Sequence, residues 1–296
     1  MAFISRSGDF LRTGQRFLSQ YRTRAPRACL KETLMTEDIS LQELLRVGAH
    51  FGHRKAKWHP RMESFLYAKR DGVHIIDLQK TVEGLENALK FVAEQAAAGK
   101  SLMFVGTKRQ ARDIVKKTAK EAGAHYMAER WIGGLLTNFT TMKTRIKRLN
   151  DLREMFETKE VEKYPKKERL VMQEEMRRLE RNFGGVSTLK GLPDMLFVVD
   201  AKSDKLAVAE ARSLNIPVIA LADSNVDPTQ VTYPIPSNDD AVKVIEYMTG
   251  KIADAYKNNF KAPAAPKAAA KKGASGKTVL MKKDEKKAPV KQEKKA

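Results

Sequence analysis

The sequence predicts a doubly wound α/β body, a flavodoxin- or Rossmann-like three-layer parallel sheet, carrying an inserted antiparallel helical hairpin. Three observations lead there. Short apolar runs that do not alternate with polar residues recur along the chain, helical periodicity separates them, and a heptad-spaced stretch interrupts the scheme near its middle. Strands that are apolar on both faces belong to parallel sheets covered on both sides by helices.

Met35-Thr36-Glu37-Asp38-Ile39-Ser40-Leu41 leads into a first helix, with Asp38 or Ser40 placed to cap it. Phe65–Ala68, Val73–Ile76 and Leu102–Val105 are short runs bounded by glycine or charge, and read as strands. Between the second and third, residues 81–98 set Val82, Leu85, Leu89 and Val92 at helical spacing. The scheme returns with a strand at Met195–Asp200, a helix over 204–214 and a strand at Pro217–Ala222. In the interval, Leu135, Phe139, Met142, Ile146 and Leu149 recur at steps of 4, 3, 4 and 3, which is a heptad seam. Tyr164-Pro165 breaks that helix, because proline lacks a donor and clashes with the preceding turn. Met172, Met176, Leu179 and Phe183 then form a second seam, ended by Gly184-Gly185. At about 1.5 Å per residue the first arm would extend on the order of 35 Å.

These elements divide the chain into a basic extension (1–34), a first part of the body (35–133), the helical hairpin (134–184), a second part of the body (185–260) and a Lys/Ala/Pro tail (261–296). The net charge of +20 points to a polyanion. It is unevenly placed: +5 lies in 1–34 and +9 in 261–296, which leaves +6 for the body. The extension reads as an organelle transit peptide, a leader from a start assigned too far upstream, or a genuine arm. The tail cannot repay the entropy of ordering and is expected to be disordered alone. Cys29 is the single cysteine, so no internal disulfide forms. No apolar run reaches the roughly 18 residues of a membrane span.

Four places offer chemistry. Gly106-Thr107-Lys108-Arg109-Gln110-Ala111-Arg112 is a loop and helix start that suits phosphate, either an RNA backbone or a nucleotide, although it lacks the glycine pattern of nucleotide loops. The run His53-Arg54-Lys55-Ala56-Lys57-Trp58-His59-Pro60-Arg61 mixes cations and rings as irregular RNA requires, or is a basic loop with Trp58 tucked inward. His50 and His53 are spaced for a shared metal, but no carboxylate or cysteine nearby completes a set, so no metal site is expected. Asp200 and Asp223 end two consecutive strands, where α/β enzymes place reactive groups. They equally suit capping of the loops that follow.

The most informative stretch is Arg130-Trp131-Ile132-Gly133-Gly134-Leu135-Leu136-Thr137-Asn138-Phe139. Its glycines allow positive φ and close approach, and Trp131 either stacks on a base or is buried. This decapeptide resembles the central motif of the small-subunit ribosomal protein two family, bacterial type. So, in order, do Leu44–Arg54, Trp58–Met62, Asp71–Leu78, Phe104–Ala111, Gly191–Asp200 and Asn238–Ala241. Ser237 and Ser224 stand where the family generally has Gly and Thr. The resemblance covers roughly residues 35–258. It implies a non-catalytic constituent of the small ribosomal subunit, in the cytoplasm or alternatively in an organelle, that binds ribosomal RNA and neighbouring ribosomal proteins. It also implies support for docking of the messenger-binding ribosomal protein one. No cofactor, membrane or small-molecule substrate is expected. Arg54, Lys55, Lys57, Arg61, Lys108, Arg109, Arg130, Asn138 and Lys143 are the residues expected at RNA. The alternatives are an α/β enzyme acting on a phosphorylated ligand through 106–112, Asp200 and Asp223, or a free RNA-binding regulator.

Overall fold

A computed structural model describes residues 39–261, so the expectations for 1–34 and 261–296 fall almost wholly outside the described residues. Five strands form one parallel sheet: β4 (Leu102–Val105), β5 (His125–Met127), β6 (Met195–Val198), β7 (Val218–Ala222) and β8 (Tyr233–Pro236). Their order is β5-β4-β6-β7-β8. The chain winds outward in one direction from β4 to β5 and in the other from β6 to β8, so the sheet reverses between β4 and β6. This is the flavodoxin-like order, whose switch point lies beyond the carboxyl ends of those two strands.

Alternate residues of each strand enter separate cores. Met103, Val105, Leu196, Val198, Ala220 and Ala222 face one cluster, while Leu102, Phe104, Met195, Phe197, Ile219 and Leu221 face the other. Both sets are fully buried, which is why the runs are continuously apolar. Four helices cover the second face: α1 (Leu41–Val47), α2 (Leu78–Ala97), α3 (Arg112–Ala122) and α7 (Val242–Asn259). The first face is covered by α4 (Phe139–Glu157), α5 (Lys166–Phe183) and α6 (Lys205–Ser213). β8 bears Pro234 and Pro236, as an edge strand tolerates.

The structure corrects the expected pairing of the first strands. The runs at 65–68 and 73–76 do not join the parallel sheet. They become β2 (Leu66–Arg70) and β3 (Val73–Ile76) of a separate antiparallel sheet, with β1 (Phe51–Arg54) on the other side of β3. Only two residues, Asp71 and Gly72, separate β2 from β3, and both have positive φ. A connection this short permits only an antiparallel pair.

The heptad residues from Phe139 onward occupy α4 and α5, Leu135 lies in the turn before α4, and Tyr164-Pro165 ends the break between the helices. Ile146, Leu149, Leu152, Leu179 and Phe183 are buried in the core cluster under the sheet. Arg148 pairs with Glu175 at 2.9 Å and Arg153 with Glu180 at 2.5 Å. Both pairs span 27 residues. Successive rungs of an antiparallel ladder would change that separation as they advance, so these pairs alone do not define such a seam.

Phe104 and Phe197 meet edge to face across adjacent strands, 5.6 Å between centroids and both fully buried. Phe197→Ala should lower stability by about 3–5 kcal/mol in a denaturant titration. An unchanged midpoint would mean that the core closes around the gap.

Candidate functional site

The carboxyl edge of the parallel sheet gathers the polar residues that follow each strand. Lys108 comes after β4, Asp200 and Asp204 after β6, Asp223 after β7, and Asp239 and Asp240 after β8. The Lys108 ammonium lies 2.6 Å from Asp240 Oδ1, 2.8 Å from Asp239 Oδ1 and 3.5 Å from Asp200 Oδ2. Thr107 donates through Oγ1 and its backbone N–H to Asp204. Gly106 is required here because a Cβ would press on Val115, Val199 and Ala111.

The small sheet reaches the same edge through His53. Its Nδ1 lies 2.9 Å from Asp223 Oδ2 and its Nε2 lies 3.5 Å from Asp240 Oδ2. Its backbone N–H donates to Ser224 Oγ at 2.8 Å, and His59 N–H donates to the Ser224 carbonyl at 2.7 Å. Four carboxylates therefore share one lysine and one histidine. Burial would lower the Lys108 pKa, but Asp239, Asp240 and Asp200 outweigh it and hold the ammonium above its ordinary range. Asp239, with no exposed surface, is pushed up to about 7 by burial and by the charges of Asp200 and Asp223, against the pull of Lys108. The surroundings thus favour the charged form of Lys108 and the neutral form of Asp239. The hydrogen bond to Asp223 raises His53, with burial opposing it.

Lys108, expected at RNA phosphate, is engaged within the fold by Asp200, Asp239 and Asp240. The ammonium is turned into a cluster of carboxylates that would repel a phosphate. Asp200 accepts from the N–H groups of Lys202 and Ser203 and from the Ser203 hydroxyl, and so caps the turn into α6. The metal reading also changes. His53, Asp223 and Asp239 offer ligand atoms that all lie within 4.8 Å of one another, and Asp239 Oδ2 is buried with no hydrogen-bond partner. Nitrogen and carboxylate donors at this spacing suit a divalent cation. The neighbour of His53 is therefore not His50 but two strand-end aspartates. The adjacent pair in Asn238-Asp239-Asp240 was the sequence signal for this, once a third strand end was granted.

The decapeptide is organised by a residue that sequence reasoning missed. Glu210, on α6, accepts from Trp131 Nε1 at 3.1 Å, Gly134 N–H at 2.8 Å, Leu136 N–H at 3.1 Å and both Thr137 donors at 3.3 Å. Gly134 takes φ +84°, the left-handed conformation that lets the loop turn back on the carboxylate. Trp131 is only 6% exposed, so the buried alternative is the one realised and it presents no free face for a base. Burial would raise the Glu210 pKa, but the hydrogen bonds from Gly134, Trp131, Leu136 and Thr137 hold it below the ordinary carboxylate value. Glu129, beside Arg130, is bridged to Lys116 and Arg112 of α3.

The remaining expected RNA contacts lie on the surface. Arg54, Lys55 and Lys57 are exposed at the end of β1 and the turn after it, and Arg109 is exposed before α3. Arg130, Asn138 and Lys143 are exposed around the start of α4. Arg61 is exposed but tied to Asp227 at 2.7 Å and Thr229 at 2.9 Å. Trp58 is half-buried, stacked on His74 at 5.3 Å with the Lys69 ammonium 5.3 Å from its ring. Among the described residues no helix is long and apolar enough to cross a membrane. A family model described as ribosomal protein S2 matches residues 44–259.

Two predictions concern protons. Glu210 has a lowered folded pKa, so its contribution is present above the ordinary value near 4.5 and is lost as pH falls through the folded one. Glu210→Gln should flatten the acid limb of a stability–pH curve, while Glu210→Ala, which strands several donors, should cost about 3 kcal/mol or more. Asp239 has the opposite sign: its raised pKa favours the fold at low pH, an effect lost as pH rises from about 4 through about 7. His50, His74 and His125, lowered by burial, run against this trend, so the observable is the melting-temperature difference between the protein and Asp239→Asn. That difference should favour the unsubstituted protein more at pH 5.5 than at pH 8; a constant difference would mean that Asp239 does not titrate there.

Proposed function

The chain belongs to the ribosomal protein S2 family, of small-subunit ribosomal proteins that are structural rather than enzymatic, and we propose that its exposed cations bind small-subunit ribosomal RNA. The observation that carries the site assignment is the cluster of Arg54 at the end of β1 with Lys55 and Lys57 in the turn after it, beside the Trp58–His74 stack and Lys69. Cations meet phosphates, and the half-buried ring fixes the backbone that carries them. Arg109 and the group Arg130, Asn138 and Lys143 are further backbone contacts, and Arg61 positions its loop through Asp227 while offering its outer nitrogens. Lys108 serves the fold.

Binding is by charge neutralisation with counterion release and by shape fit, with no bond made or broken. α4 and α5 act as an inserted helical hairpin whose outer faces meet RNA and protein neighbours, and the assembled subunit, in the cytoplasm, supports docking of the messenger-binding ribosomal protein one. An enzyme acting on a phosphorylated ligand through 106–112 is disfavoured by the carboxylates around Lys108.

Replacing Arg54, Lys55 and Lys57 together by Glu should sharply reduce incorporation into small subunits and flatten the log–log salt dependence of RNA binding by about 2 to 3 units. The free protein should unfold within a few degrees of its usual temperature, since exposed substitutions away from caps and cores cost little. RNA binding that keeps its salt slope would remove this face from the interface. RNA binding by a chain that never enters subunits would favour a free regulator.

A further inference from the structure

The outer face of α6 carries cations that the fold does not use. Lys202, in the turn into the helix, is exposed, and so are Lys205, Leu206, Ala209 and Arg212 along it. Lys205, Ala209 and Arg212 follow at steps of 4 and 3 and share one stripe. Its two cations stand about 10 Å apart at 1.5 Å per residue. Among the described residues none of the three cations joins an ion pair. The acids of this region are turned inward instead. Asp200 accepts from Lys202 N–H and Ser203, Asp204 from Thr107, and Glu210 from the loop at 131–137. The outward stripe is left with positive charge alone.

Helix stability does not account for these residues. Arg212, in the last turn of α6, suits the negative end of the helix dipole, but Lys205 opens the helix and opposes it. Leu206, beside Lys205, is 56% exposed. A leucine among unpaired cations fits a sugar carried between phosphates. The stripe also adjoins the surface proposed for RNA. The turn Pro228–Gln230 packs against α6 and against the turn Pro60–Phe65, and Arg61 of that second turn is held by Asp227 and Thr229.

We infer that Lys202, Lys205 and Arg212 hold phosphates of an RNA backbone that passes along α6, with Leu206 against a sugar between them. This rests on the reading of the cations at 54–57 as an RNA surface, and extends that surface past Arg61 to a second element. The contacts are to phosphate and sugar, so they do not depend on base sequence.

Lysine acetylation read by mass spectrometry tests this on the full chain, free, bound to protein-free small-subunit ribosomal RNA, and in assembled subunits. Lys202 and Lys205 should lose most of their reactivity on the RNA, together with Lys55 and Lys57. Lys202→Glu/Lys205→Glu/Arg212→Glu should flatten the log–log salt dependence of RNA binding by about 2 to 3 units. The variant should melt within a few degrees of the unsubstituted protein, because all three positions are exposed. If Lys202 and Lys205 stay reactive while Lys55 and Lys57 are shielded, the inference is overturned and the surface at 54–57 stands. An unchanged salt slope would overturn it as well. RNA that shields neither pair would remove both readings. Shielding confined to assembled subunits, with no nucleotide crosslinked to 202–212 under ultraviolet light, would make the occupant a neighbouring protein and also overturn the inference.

Discussion

A single carboxylate sets how the two long helices join the sheet. Glu210 sits on α6, against the first face of the sheet, and gathers donors from Trp131 to Thr137 into one bonded loop. Those donors would otherwise be the free backbone groups of a segment passing from β5 to α4. A carboxylate is the one side chain that can accept so many bonds at once, and its charge strengthens each of them. The loop's shape then follows: Gly134 at positive φ, Trp131 turned inward, Leu135 and Leu136 buried below. The start of α4 is fixed by the same bonds, and with it the placement of Ile146, Leu149 and Leu152 in the core.

The carboxyl edge shows how an α/β scaffold can be turned from chemistry to assembly. Such edges leave strand ends and loops converging at a switch point, where enzymes commonly bind a ligand. Here the same positions are filled by aspartates that neutralise Lys108 and hold His53. The consequence is mechanical. His53 belongs to β1, so its bonds to Asp223 and Ser224 lock the small antiparallel sheet against the large parallel one. The exposed Arg54, Lys55 and Lys57 directly follow that histidine, and their position is therefore set by buried charge pairs rather than by the flexible cations themselves. A buried cluster of this kind is costly in free energy, and its worth lies in the single arrangement it enforces.

Much of the fold was legible because burial on both faces leaves a plain mark. Leu102–Val105 is strand β4 as read, Met195–Val198 and Val218–Ala222 fall inside the expected runs, and the helix expected over 204–214 is Lys205–Ser213. What escaped did so for physical reasons. β5 is three residues long, and β8 carries two prolines, so neither gives an apolar run. β2 and β3 were visible as strands, but their partner was not, because pairing direction is fixed by a two-residue turn rather than by apolar content. At the site, the cations of 54–57 were legible as exposed charge. Lys108 was not, since a lysine after a strand looks the same whether it faces water or three carboxylates. Glu210 left no trace either: one glutamate among Ala207, Val208 and Ala211 has the pattern of any helix edge. Convergence of distant donors on one acceptor is a property of the fold, not of any segment.

Charge and shape therefore divide the labour. The body carries only +6 of the chain's +20, and a share of its cations is consumed internally, by the Lys108 cluster, by the bridges of Arg112 and Lys116 to Glu129, and by the arginines paired across α4 and α5. On the proposed reading, affinity for RNA from the body comes from few, well-placed contacts rather than from a uniform field. Few contacts can suffice when the surface that bears them does not have to be ordered on binding. The buried His53–Asp223 contact and the Trp58–His74 stack supply that rigidity for residues 54–57, and the Glu210 loop supplies it for Arg130 and Asn138. The polar interior, expensive as it is, would on the proposed reading be what lets a modestly charged surface recognise a particular RNA shape.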